Sequence, residues 1–153
     1  MKNVLWLEKG IAGDDTHGHV DDLCRFVNKK TVVLVQEKKK HDENFKLLHE
    51  NKERFNDLWL KDGSKIEVVY LSMPLPVIFK GQRLPVSYAN FYFSNAAVLV
   101  PTFNDLNGRI ALVILSELNK DRPVIGIHAL DLVWGLGTIH CLTQEQSFIK
   151  PKL

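Results

Sequence analysis

Six ionisable side chains fall within nine residues of this sequence: Asp14, Asp15, His17, His19, Asp21 and Asp22. His19 and Asp21 are two apart, so in an extended segment both leave the same face. An imidazole held beside carboxylates can give or take a proton in a reaction. The flanking Gly13 and Gly18 permit close approach of the backbone to a ligand, or unusual dihedrals. A polar surface turn would explain the Asp and Gly content but not the density of His beside it. His17-x-His19-x-Asp21 also has the ligand spacing of some metallohydrolases, and imidazole with carboxylate suits zinc or iron. Against a metal, Asp22 stands where a binuclear site would carry another His, and His128 and His140 are isolated in the sequence. No metal and no organic cofactor are expected.

Near the other end, Cys141 follows Gly135-x-Gly137 and His140 and precedes Thr143-Gln144-Glu145-Gln146, a polar and flexible setting unlike a core. A thiolate nucleophile needs a nearby cation or donor to lower its pKa, and His19 could supply one if the two loops meet. Cys24 sits between Leu23 and Phe26 in a pattern that suits packing. Two cysteines are too few for a disulfide framework and match no zinc module, and a reducing cytoplasm with free thiols is the simplest compartment.

The elements that must position these residues are legible as periodic segments. A helix is predicted from about Asp42 to Trp59, with Phe45, Leu48, Phe55, Leu58 and Trp59 on one stripe and Asp42 as a cap. A second is predicted from about Asp105 to Leu118, capped by Asn104 or Asp105, with Ile110, Ala111, Ile114, Leu115 and Leu118 inward. Strands are predicted at 3–7, 31–35, 66–71, 90–94, 97–101 and 124–128. Strand, helix and strand then recur with a period of about 60 residues, judged from Val33 to Val98 and from Ile66 to Val124. Irregular Gly- or Pro-bearing segments follow the last strand of each copy. Arranged radially, such loops would converge on one axis and bring His19 to Cys141.

Composition excludes other classes. The 153 residues are 45% hydrophobic and 25% charged, as for a globular domain, and form one unit, 1–153. A net charge of +2 gives no basis for a nucleic-acid partner, and the basic run Lys38-Lys39-Lys40 is flanked by Glu37, Asp42 and Glu43. No apolar stretch approaches the roughly 20 residues that span a bilayer. No membrane partner is expected.

Five ordered motifs carry a resemblance. Gly13-Asp14-Asp15-Thr16-x-Gly18-His19-Val20-Asp21, Ser87-Tyr88-Ala89-Asn90-Phe91-Tyr92, Pro101-x-Phe103-x-Asp105, Asp121-Arg122-x-Val124-x-Gly126-Ile127 and Gly137-x-Ile139-His140-Cys141-Leu142-Thr143-Gln144 occur in order. Together they resemble the agmatine deiminase or bacterial peptidylarginine deiminase family over nearly the whole chain. The resemblance implies an α/β pentein propeller, of which this chain would hold the C-terminal two to three repeat units. It implies Cys141 as nucleophile, His19 as general acid/base and Asp21 as the carboxylate gripping a guanidinium. Asp15 would help bind the small guanidino substrate, and Gly137 would let backbone carbonyls face the cation.

A guanidinium presents N–H donors in a planar fork that a carboxylate accepts in bidentate fashion, aiming the central carbon at the sulfur. Family chains are longer, and their first half, with another guanidinium-binding carboxylate, has no counterpart here. Activity is therefore expected only with that half, supplied by a separate chain or through a homo-oligomer. The alternative is a non-catalytic remnant or an accessory protein that binds a guanidinium or a partner.

Overall fold

The computed structural model describes residues 4–7, 9–15 and 18–146. Thr31-Val32-Val33-Leu34-Val35-Gln36 forms β2 (Thr31–Gln36), and its first five residues are buried. A run apolar on both faces is what a strand in a covered, partly parallel sheet requires. It pairs antiparallel with β1 (Cys24–Phe26) on one side and parallel with β3 (Glu67–Ser72) on the other. The parallel pair is joined through α1 (Asn44–Arg54). The order then recurs: β6 (Tyr92–Phe93) antiparallel to β7 (Val98–Thr102), and β7 parallel to β8 (Val124–His128) through α2 (Leu106–Leu118). The predicted strand–helix–strand repeat is present, and each copy carries an additional antiparallel strand. A small hairpin, β4 (Ile78–Phe79) with β5 (Gln82–Arg83), lies between the two units. No sheet among the described residues closes on itself.

α2 begins as expected, with the Asp105 side chain accepting from the Gly108 amide at 2.9 Å. The same carboxylate accepts from Tyr88 Oη and from the Leu75 amide, tying α2 to the chain ahead of it. Ala111 and Leu115 are buried as predicted, but Ile110 is exposed. α1 is shorter than predicted because the chain turns at Asp57, whose φ is +60°. Leu48 and Phe55 fill its buried stripe, whereas Trp59 lies beyond the helix, bridges to Lys65 and is exposed. Asp42 is committed to a bidentate pair with Arg83 at 2.9 and 3.1 Å as well as to the Asn44 amide. The predicted first strand is not formed in residues 4–7, and the rest of it lies outside the described residues.

Leu84 to Phe91 runs as irregular chain yet is buried throughout. Tyr88 and Phe91 anchor it in the main core beside Val33, Leu71, Val98, Val100, Leu115 and Val133. A buried irregular segment must find partners for its polar groups elsewhere. Those partners form the site.

Candidate functional site

Asn90 is fully buried at the end of this segment and joins the two chemically suggestive loops. Its Oδ1 accepts from Thr138 Oγ1 at 2.8 Å and from the His140 amide at 2.9 Å, fixing the loop that carries Cys141. Its Nδ2 lies 3.1 Å from Asp21 Oδ2, 3.0 Å from Asp22 Oδ1 and 3.1 Å from Cys141 Sγ. Cys141 Sγ is in turn 3.4 Å from Asp21 Oδ2. Residues 120 positions apart thus share one cluster.

The loop around Cys141 needs glycine at one position. A Cβ on Gly137 would stand 2.8 Å from the Cys141 Cβ and 3.1 Å from its Sγ. The role of Gly137 visible in the structure is the space its bare Cα leaves for the thiol. Gly13 has a φ of +93°, and a Cβ there would meet Arg83 O at 2.4 Å. That glycine lets the acidic loop lie against the hairpin.

His140, isolated in the sequence, is not isolated in space: its Nδ1 donates to Asp21 Oδ2 at 2.7 Å. Burial works against ionisation of Asp21, but hydrogen bonds from His140 and Cys141 and the charge of His140 outweigh it and hold the carboxyl below its ordinary range. Cys141 behaves oppositely. Partial desolvation pushes its thiol pKa up and the Asp21 charge adds to this, against the Asn90 amide and the Thr138 backbone. Arg25 brings a cation to the same neighbourhood, where it interacts electrostatically with Asp21 and Cys141, and it donates to Phe91 O at 3.0 Å. Cys24 is half-buried and packs against the cluster of Val32, Leu34, Phe55 and Ile66, and desolvation pushes its thiol up to about 11.

His19 is held by Asp14 rather than by the thiol. The buried Asp14 carboxylate accepts the His19 amide at 2.8 Å and lies 3.0 Å from its Nδ1. With Nδ1–H directed to Asp14, the neutral ring keeps its lone pair on Nε2, the tautomer a base requires. Asp15 is exposed beside it, and one ligand atom from each of Asp14, Asp15 and His19 falls within 4.8 Å of the others. Asp22 connects the two groups, since it feels the charges of Asp21, Asp14 and His19. Cys141, Asp21 and Gly137 are therefore brought together, while His19 and Asp15 form an adjoining cluster. No contact between His19 and Cys141 occurs among the hydrogen bonds of the described residues. His17, and with it the metal alternative built on His17-x-His19-x-Asp21, lies outside the described residues.

The arrangement offers a thiol, an ionised carboxylate beside it and, in the adjoining cluster, a histidine held by Asp14. Comparison with known proteins gives that arrangement a class. The model of a family described as Porphyromonas-type peptidyl-arginine deiminase matches residues 1–147. The chain belongs to that family. A relative from Latilactobacillus sakei, named provisionally as an agmatine deiminase, is 32% identical over 95% of this chain and 45% of its own length. Among solved structures, a provisionally named arginine deiminase from Porphyromonas gingivalis is 39% identical with a TM-score of 0.85, over 88% of this chain and 40% of the other. The agmatine deiminase of C. jejuni, in a cysteine-to-serine variant with substrate bound, is 33% identical with a TM-score of 0.82, over 92% of this chain and 40% of the other. The chain spans less than half the length of these relatives. No helix among the described residues is long and apolar enough to cross a membrane.

Proposed function

We propose that this chain carries the nucleophile-bearing part of a guanidine deiminase that converts agmatine to N-carbamoylputrescine and ammonia. The observation that carries this is the convergence of Cys141, Asp21 and Asn90 within hydrogen-bonding distance. In the pathway we infer, Asp21 accepts the N–H fork of the guanidinium and brings its carbon to the sulfur. The thiol is hard to ionise in the unliganded chain, so a bound cation between it and Asp21 is what favours thiolate. The thiol proton passes to His19, sulfur attacks the guanidinium carbon, the bond from that carbon to an unsubstituted guanidinium nitrogen breaks, and His19 returns the proton to the leaving ammonia. A covalent amidino-thioester remains on Cys141. His19 then takes a proton from water, the hydroxyl adds to the same carbon, and the C–S bond breaks to release the ureido product. Asp15 and Gly137 serve substrate binding in this scheme, with no cofactor.

The fold we infer for the complete unit is a pentein propeller in the cytoplasm. The repeat supports it. α2 of the second unit packs on β3 of the first as well as on its own β8. β8 occupies the place of β3 in its own unit, yet its Ile125 and Ile127 are exposed, as are Leu106, Ile110 and Val113 of α2. A further helix-bearing unit would cover β8 as α2 covers β3. The rest of the family domain, on a longer chain, a separate chain or a second copy, is the partner that activity requires. Cys141→Ser should abolish ammonia release from agmatine by the completed unit. Turnover retained in that variant would remove the proposal, and turnover by the chain alone would remove the requirement for completion.

A further inference from the structure

Asp22 has no part in that pathway, yet it is 2% exposed and sits one residue from Asp21. Its backbone carbonyl accepts from Ser87 Oγ at 2.7 Å, which fixes it against the buried 84–91 segment. Its Oδ1 accepts from Asn90, whereas its Oδ2 is buried with no hydrogen-bond partner among the described residues. A polar side chain retained only for packing normally has both oxygens satisfied. A carboxyl in this position lacks the stabilisation that an ion needs.

Asn90 supplies the consequence. A primary amide has two N–H donors, but Asn90 Nδ2 lies 3.0–3.1 Å from three acceptors, Asp22 Oδ1, Asp21 Oδ2 and Cys141 Sγ. They cannot all be served at once. We propose that Asp22 is a positioning residue of the thiol site, competing with Cys141 for the amide protons of Asn90 and so setting how readily the thiol ionises. This rests on reading Cys141 as the nucleophile. An ionised Asp22 draws one Asn90 proton and adds negative charge near the sulfur. A neutral Asp22 releases both protons to Asp21 and Cys141.

The charged groups around Asp22 set its balance. Burial, and next the charges of Asp21 and Asp14, raise its pKa to about 7, while the Asn90 hydrogen bond and His19 oppose them. From the 84–91 segment it meets only the neutral Ser87 and Asn90, and Cys141 and His140 lie across Asn90 and Asp21. Asp22 thus changes charge in the range where a nucleophilic thiol must work, and Asn90 is the group that links the two.

The test is the pH dependence of Cys141 alkylation by iodoacetamide, resolved by peptide mass, in the native chain and in Asp22→Asn. Cys24, half-buried in β1, reports folding in the same samples. The variant should displace the Cys141 profile to lower pH by about half a unit or more, about threefold faster alkylation near neutrality. Coincident profiles in a folded variant overturn the proposal. Should the variant expose Cys24, the native chain decides by NMR: the Asn90 side-chain amide signals should shift with a midpoint near neutral pH, and signals that stay put overturn it. These readouts do not depend on turnover. Missing ammonia release sinks the deiminase assignment and leaves the profile shift intact, whereas coincident profiles sink only the role of Asp22.

Discussion

Replacing Asn90 with Ala should be among the most damaging single changes in this chain, and its effect should depend on pH. The substitution removes two hydrogen bonds at Oδ1, from Thr138 and the His140 amide, and leaves the buried Thr138 hydroxyl without that partner. Neutral bonds of this kind contribute about 1 kcal/mol each. It also removes the Nδ2 donor from Asp21 and Asp22, and bonds to charged groups are worth about 1.5–3 kcal/mol each. The sum is about 5–8 kcal/mol with Asp22 ionised. Below pH 6, with Asp22 protonated, one charged bond drops out and the loss falls to about 3.5–5 kcal/mol. Either figure is a large share of the roughly 5–15 kcal/mol by which domains are stable. Urea denaturation followed by far-UV circular dichroism at about pH 5.5 and 8 measures both values. Trp6, Trp59 and Trp134 are all exposed, so tryptophan fluorescence would report poorly. A loss below about 1 kcal/mol at both pH values would refute Asn90 as the bolt between the loops.

Two further outcomes follow from the same geometry. Asp22 holds its proton more tightly in the folded chain, near 7 against 3.8 unfolded, so stability falls as pH rises through that window. Asp22→Asn should therefore stabilise the fold by up to about 4 kcal/mol at pH 8 and give no gain below pH 4; equal stability at pH 8 would contradict this. Gly137→Ala should cost about 1–3 kcal/mol, because the new Cβ must push the Cys141 side chain away. Urea midpoints unchanged from the native chain would show that the loop yields freely.

Sequence pattern revealed the parts of the fold that are local or strongly periodic. β2, β8 and α2 were legible to within a residue or two, since an unbroken β-branched run, a Gly-bearing apolar strand and an Asp105 cap each announce themselves. β1 was missed because Cys24-Arg25-Phe26 has no alternation of its own and is a strand only through its pairing with β2. The same holds for the two-residue strands of the hairpin. Ile110 and Trp59 were expected inside and lie outside: periodicity says which residues share a face, not whether anything covers that face.

For the site, residue type identified Cys141 and the acidic loop, and their meeting at Asp21 needed the fold. Asn90 lies in the Ser87–Tyr92 motif, but its role comes from contacts 48 to 69 positions away, which no local pattern encodes. His140 was passed over because its partner Asp21 is 119 residues distant. His19 was expected at the thiol, and the buried Asp14 that holds it came from the same loop unremarked.

The central claim is that Cys141 attacks the carbon of a guanidinium. Rapid acid quenching of the completed unit with agmatine, followed by peptide mass analysis, tests it most directly. One adduct is expected, on the peptide bearing Cys141, with the mass of agmatine less ammonia, absent in Cys141→Ser. Ureido product formed at the native rate by Cys141→Ser, or an adduct mapped to Cys24, would contradict it.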